Sequence, residues 1–182
     1  MNTKNMRKIA ILLVIVFFAM QAYSQEAITP RPSPLAVVTM KYNDDYVKIT
    51  YSQPHKRGRE IFGGLVPYGK VWRTGANEAT EITLTSDMLV KNDTLPAGTY
   101  SIFSIPNQDV WTIIFNKNLG QWGAYNYLES ADVLRVEVPA SKIEDVTWEP
   151  FTMAFEQKND KADLTLTWDQ TQVAVPLTFA GH

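Results

Sequence analysis

Between His55 and Glu78 the chain reads HKRGREIFGGLVPYGKVWRTGANE, which gathers Lys56, Arg57, Arg59, Lys70 and Arg73 into one stretch. The whole chain holds 17 Lys and Arg in 182 residues and has a formal net charge of −2, so this is a local excess of cations in a mildly acidic protein. A guanidinium keeps its charge under ordinary conditions and presents a planar fork of donors that matches carboxylate and phosphate oxygens. The stretch supports two compatible readings. In the first, Arg57, Arg59 and Arg73 meet the carboxylates nearest in sequence, Glu60, Glu78 and Glu81, and tie down a long hairpin loop whose Gly63, Gly64 and Gly69 supply the turns. In the second, Arg59, Tyr68, Trp72, Arg73, Asn77 and Glu78 face a cleft that takes an anionic or sugar-like ligand. In an extended segment Val71 and Arg73 share one face, and Lys70 and Trp72 share the other. A buried Trp72 therefore leaves Arg73 at a surface or in a cleft.

Catalytic patterns are sparser. Glu60 and Glu78 are the carboxylates available as a general acid and base, which requires that the fold bring them to a defined separation. His55 is a candidate base, but it follows Pro54 in a turn-like context and is the only histidine besides the terminal His182, which leaves no two-histidine metal site. No cysteine nucleophile, G-x-S-x-G elbow or H-E-x-x-H helix is present. Asp44-Asp45, Glu144-Asp145 and Asp160-Asp163 lack the spaced oxygen ligands of a calcium loop. Gly64 to Lys70 matches the first seven positions of the phosphate loop G-x-x-x-x-G-K, yet Val71 stands where the magnesium-binding Ser or Thr belongs. The residues after Val71 read as strand and turn, not the helix whose N-terminus would face the phosphates. The residues thus call for neither a metal nor a cofactor.

The elements that must position these groups are strands. Residues 1–24 have the order of a secretory signal, with basic Lys4, Arg7 and Lys8, an apolar run over residues 9–20, and small Ala22 and Ser24 before an expected cut that leaves Gln25 first. The run is shorter than the roughly 20 residues of a membrane span, and no later run is long enough, so no membrane span is expected after cleavage. Removing three of the 17 basic residues leaves 14 against 19 acidic ones, a formal net charge of −5. That charge disfavours nucleic acid as a partner. Without cysteine there is neither a lipidated N-terminus nor a disulfide, and stability must come from packing. A leader, residues 25–34, carries Pro30, Pro32 and Pro34 and is extended. From Leu35 to the C-terminus, as one domain, period-two alternation dominates. Val47, Ile49 and Tyr51 oppose Tyr46, Lys48 and Thr50. Around Trp111, Ile113 and Phe115 both faces are apolar, as in a central strand. VLRVEV, FTMAFEQ, DLTLTW and QVAVPL continue the pattern, with a hairpin turn at residues 158–161 and at most one helical turn in WGAYNYLES. The expectation is an all-β fold of about ten strands with little helix, an antiparallel β-sandwich or jelly-roll-like. Asp93-Thr94-Leu95, at a turn, is similar to a short bacterial O-glycan acceptor, and an ordinary turn explains it as well.

The run YSQPHKRGREIFGGLVPYGKVWRTGANEAT, followed by LPAGTYSIFSIP, resembles an exported bacterial family, the domain of unknown function 2911, and the likeness extends over nearly all of the mature chain. The resemblance implies a single all-β exported domain with no established activity. Its motif falls on Gly58, Arg59, Ile61, Phe62, Gly63, Pro67, Tyr68, Gly69, Trp72, Arg73, Gly75, Ala76, Asn77 and Glu78. His55 stands where the family does not demand histidine and Gln53 where a basic residue is common, which shifts weight from His55 to Arg59, Trp72, Arg73, Asn77 and Glu78.

The leading expectation is a periplasmic or extracellular domain that binds a small polar or glycan-like ligand at residues 55–78. The alternatives are a carbohydrate-active hydrolase or lyase using Glu60 and Glu78, and a non-catalytic structural protein of the envelope. The sequence leaves the ligand and the oligomeric state open.

Overall fold

The structure is a computed structural model that describes residues 2–5 and 29–180. The expected signal segment lies largely outside the described residues. The chain divides into two compact units, Met1–Arg31 and Pro32–His182. In the first, residues 3–5 form one helical turn. In the second, eleven strands succeed one another: β1 (Leu35–Tyr42), β2 (Asp45–Ser52), β3 (Thr80–Leu84), β4 (Met88–Val90), β5 (Asp93–Leu95), β6 (Gly98–Ile105), β7 (Val110–Asn116), β8 (Asp132–Lys142), β9 (Trp148–Lys158), β10 (Lys161–Asp169) and β11 (Thr171–Phe179). A single 3-10 turn, Glu129–Ala131, precedes β8. The expected all-β antiparallel architecture is what forms.

All strand pairs are antiparallel, in the order β1-β2-β3-β6-β7-β8-β11-β10-β9, with the β4-β5 hairpin attached to β11. β8 joins the two halves. Its residues 132–139 pair with β7 and its residues 140–142 pair with β11. The sheet is nearly closed: at the two ends of the order, the Gln157 amide of β9 donates to the Lys41 carbonyl of β1 (2.9 Å). Such closure shields the edges that an open sheet leaves to other chains.

Alternation decides which face is buried. Val47, Ile49 and Tyr51 of β2 point inward, as do Trp111, Ile113 and Phe115 of β7, and they meet Leu164, Leu166 and Trp168 of β10 across the interior. β7 is apolar on both faces, and the reason is a second, smaller cluster. Phe103 and Ile114 bury their outer faces beneath the connection that runs from β7 to β8, against Ala124 and Tyr127. The hairpin expected at residues 158–161 joins β9 to β10, and Asn159 takes the left-handed backbone that its turn requires (φ 56°).

Candidate functional site

Residues 53–79 connect β2 to β3, and the connection is stitched down at both ends and in the middle. Leu65 N–H donates to Glu60 O (3.0 Å) and Val66 N–H to Ile61 O (2.8 Å), closing a tight turn that buries Ile61 and Val66. Gly64 is required here, since a Cβ would lie 2.8 Å from the Glu60 carbonyl oxygen. Further on, the Trp72 backbone exchanges two hydrogen bonds with Ser104 of β6 (2.7 and 2.9 Å), which adds a rung to β6 beyond the end of its pairing with β3. The Trp72 side chain is 7% exposed and packs among Phe62, Trp111, Phe151 and Trp168 with ring centroids 5.1–6.2 Å away. Its indole N–H donates to Gly75 O (3.0 Å). The loop is thus anchored by an aromatic plug in the interior, not draped over it.

The backbone beyond Trp72 is unusual. Thr74, fully buried and β-branched, sits at φ 53°, and Asn77 at φ 55°. A β-branched residue in the left-handed region is strained and persists only where its surroundings dictate it. The dictating contacts are visible: the Thr74 hydroxyl bonds Ser104 Oγ (3.0 Å), the Thr80 hydroxyl donates to Thr74 O (2.6 Å), and Ala76 N–H donates to Ser52 O (3.2 Å). A Cβ on Gly75 would lie 2.9 Å from that Ser52 oxygen. The result of this distortion is the placement of Arg73.

Arg73 is half-buried, and its Nε is buried without a hydrogen-bond partner. Among the described residues its guanidinium forms no ion pair and no hydrogen bond. Burial lowers its pKa from the ordinary arginine value, and the phenol of Tyr125 acts in the opposite direction. Two clefts flank it. One, of about 260 Å³, is lined by Arg59, Asn77, Ser33 and Trp168. The other, of about 300 Å³, is lined by Lys70, Pro67, Ala124 and Tyr125. Leu65, Val66, Trp72 and Arg73 line both, so the clefts share one wall with Arg73 in it. Three cations line this pair of clefts, and no carboxylate does.

The structure therefore brings together Arg59, Trp72, Arg73 and Asn77 of the expected site, with different roles. Arg59 donates from Nε to Lys56 O (3.0 Å) and from Nη2 to His55 O (2.6 Å), which fixes the fork and leaves Nη1 without a partner among the described residues. The Asn77 amide donates to Ser33 O and to Ser52 Oγ (both 3.3 Å), so it holds the loop against the start of the domain. Tyr68 and Glu78 stand elsewhere. Tyr68 lines a shallow cleft of about 600 Å³ with Asn107, Asp109 and Glu137. Glu78 lines a cleft of about 320 Å³ with Leu35, Tyr51 and Glu81, and accepts from Ser52 Oγ (3.4 Å). Glu60 is exposed and lines neither the Arg73 clefts nor that of Glu78. His55 pairs through its backbone with Pro150. No group of three or more His, Cys, Asp or Glu among the described residues is arranged to hold a metal.

One expectation is corrected. The loop is not tied down by its arginines pairing with nearby carboxylates; Arg59 binds main-chain carbonyls and Arg57 reaches the Pro32 carbonyl (2.8 Å), while Glu81 accepts from Gly120 N–H. The reason is geometric: the left-handed residues at 57, 74 and 77 turn neighbouring side chains to different sides of the loop. Two residues of the clefts escape sequence reasoning. In an extended segment Lys70 falls on the Trp72 face, away from Arg73, and Tyr125 comes from the β7-β8 connection, about fifty positions along the chain, where only its aromatic neighbours and glycines signal anything.

Fold and clefts together define an antiparallel all-β domain whose longest connection carries a cation-lined recess and no recognisable catalytic constellation. The chain belongs to the family described as protein of unknown function (DUF2911), whose model matches residues 33–177 and so includes both clefts. No curated protein and no solved structure matches the chain.

Proposed function

We propose that the domain is an exported binding module that holds a small polar or glycan-like ligand against Arg73. One observation carries the reading: a half-buried guanidinium whose Nε has no partner, at the shared wall of two clefts. An unpaired buried donor costs about 1–3 kcal/mol. Nε itself is buried, and the outer Nη groups of the same guanidinium, which have no hydrogen bond among the described residues, are the donors that a ligand's oxygens can meet. A purely structural arginine would instead end on a carboxylate or a carbonyl, as Arg57 and Arg59 do. The carboxylates proposed for acid–base work support catalysis less, since Glu60 and Glu78 do not share a cleft.

The test is a thermal-shift screen of sugars, sugar acids, small carboxylates and phosphates. A true ligand at about a hundred times its Kd adds about 2.7 kcal/mol, roughly 5–10 °C for a domain of this size. Arg73→Gln should abolish the shift and leave the far-UV circular dichroism unchanged. A screen with no Arg73-dependent shift returns the domain to a structural role in the envelope. Export rests on the order of residues 1–24 and predicts a periplasmic or extracellular protein whose first residue is Gln25; N-terminal sequencing of the fractionated protein checks this.

A further inference from the structure

The binding reading leaves the chemistry of the ligand open, and the linings of the two clefts narrow it. Arg59 lies at one, Lys70 at the other, and Arg73 at both, with no aspartate or glutamate to neutralise them. Sites for neutral sugars need acceptors as well as donors, because a hydroxyl both gives and takes a hydrogen bond. Here Ser33, Asn77 and Tyr125 offer acceptors, but the three charged groups are donors only and no carboxylate offsets them, so the linings favour a ligand that brings negative charge.

The second cleft adds an aromatic wall. Tyr125 is 85% exposed, far more than an aromatic ring held only for packing. It is nonetheless placed: a Cβ on Gly123 would come within 2.7 Å of its ring, and Gly123, at φ 69°, has its N–H bonded to Asn77 O (2.9 Å). The Arg73 loop and the Tyr125 loop are therefore fastened to each other at Asn77. An exposed ring seated on a glycine beside a guanidinium offers one flat apolar surface and one fork of donors. The first suits the CH-rich face of a pyranose, the second a carboxylate. Each cleft is near or below the lower end of the range for small-molecule sites, about 300–1,000 Å³, and the two share a wall, which favours a ligand that occupies both.

We propose that the paired clefts bind an acidic oligosaccharide, with a carboxylate held by Arg73, flanking negative groups facing Arg59 and Lys70, and one sugar ring lying on Tyr125. The proposal rests on the binding reading above and adds charge and ring stacking to it.

Trigalacturonate and its fully methyl-esterified form are the probes, since they differ in charge and little in shape; inorganic phosphate tests for a simple anion site. Calorimetry on the mature protein should show the acid binding about 10–100-fold more tightly than the ester, the span of a charge-assisted hydrogen bond. Arg73→Gln should erase that difference. Tyr125→Ala, at an exposed position, should weaken the acid about tenfold through the lost ring face. Equal affinity for acid and ester overturns the proposal while the binding module stands. Phosphate binding through Arg73 without trigalacturonate binding overturns the saccharide assignment and marks a phosphorylated ligand. If none of the three probes binds, the proposal is overturned, and the module itself falls only if the broad screen also fails.

Discussion

Arg73 and Asn77 lie four positions apart, and the structure treats them in opposite ways. Every donor of the Asn77 amide that reaches the protein is used, on Ser33 and Ser52, and its backbone takes a left-handed conformation that asparagine tolerates. Asn77→Ala removes both bonds and puts a Cβ-bearing residue with no compensating amide at φ 55°, so a loss of about 1–3 kcal/mol is expected in urea unfolding. Asn77→Gly should lose less, because the backbone term vanishes. Arg73 has the reverse signature. Arg73→Met keeps much of the aliphatic stem and removes an unsatisfied buried donor, so the ligand-free domain should unfold at unchanged or higher urea concentration, with a gain of up to about 1 kcal/mol. A residue whose removal stabilises the protein and abolishes binding is a functional group; a midpoint that falls by more than about 1 kcal/mol would instead mark Arg73 as part of the scaffold.

At the scale of elements, the connection from β7 to β8 is what brings Tyr125 to the clefts, and a polar network secures its far end. The Tyr127 hydroxyl donates to Asp132 Oδ2 (2.6 Å) and accepts from Arg135 Nη2 (2.7 Å), while Arg135 Nε donates to the same Asp132 oxygen (2.7 Å). Burial, and after it the bond to Asp132, raises the Tyr127 pKa to about 12 from an ordinary 10.0. The folded state thus favours the protonated phenol. Its contribution is fully present below pH 10 and is lost as the pH rises through about 12, because the folded chain then holds a proton that the unfolded chain has released. Tyr127→Phe should make stability less sensitive to pH between 10 and 12 than in the parent, as chemical denaturation at stepped pH would show; identical slopes would mean the network does not couple to folding. The strands flanking this connection were legible from alternation alone, as Trp111, Ile113 and Phe115 show. The two-faced character of β7 was legible as well, though not its cause, because the cover over Ile114 comes from a segment with no period of its own. For the same reason the site was only half legible. Arg73 stood out by residue type and by its place beside Trp72, whereas the separation of Glu78 from it depends on left-handed backbone at 74 and 77, of which a β-branched Thr74 gives no sign, and Tyr68 is set apart from it across the left-handed Gly69.

For the whole molecule, the nearly closed sheet leaves an interior that strand side chains do not fill alone, and the β2-β3 connection supplies Phe62 and Trp72 to it. These rings meet Trp111 of β7, Phe151 of β9 and Trp168 of β10, so the plug touches both halves that β8 joins. Loop and core are then one cooperative unit, and the clefts cannot form without the interior being packed. Trp72→Ala deletes the central ring and orphans the Gly75 carbonyl that its indole serves, at an expected cost of about 3–5 kcal/mol, a large part of the roughly 5–15 kcal/mol that holds a domain together. Trp72→Phe should cost less, because a ring remains and only the hydrogen bond and part of the volume are lost. In thermal unfolding of either variant, near-UV and far-UV circular dichroism should fall together at a lower temperature. If the near-UV signal of Trp72→Ala is lost while the far-UV signal keeps the parent's midpoint, the loop is an appendage to an independently stable barrel, and the strain at Thr74 is then maintained by the loop's own bonds to Ser52, Ser104 and Thr80, without help from the aromatic interior.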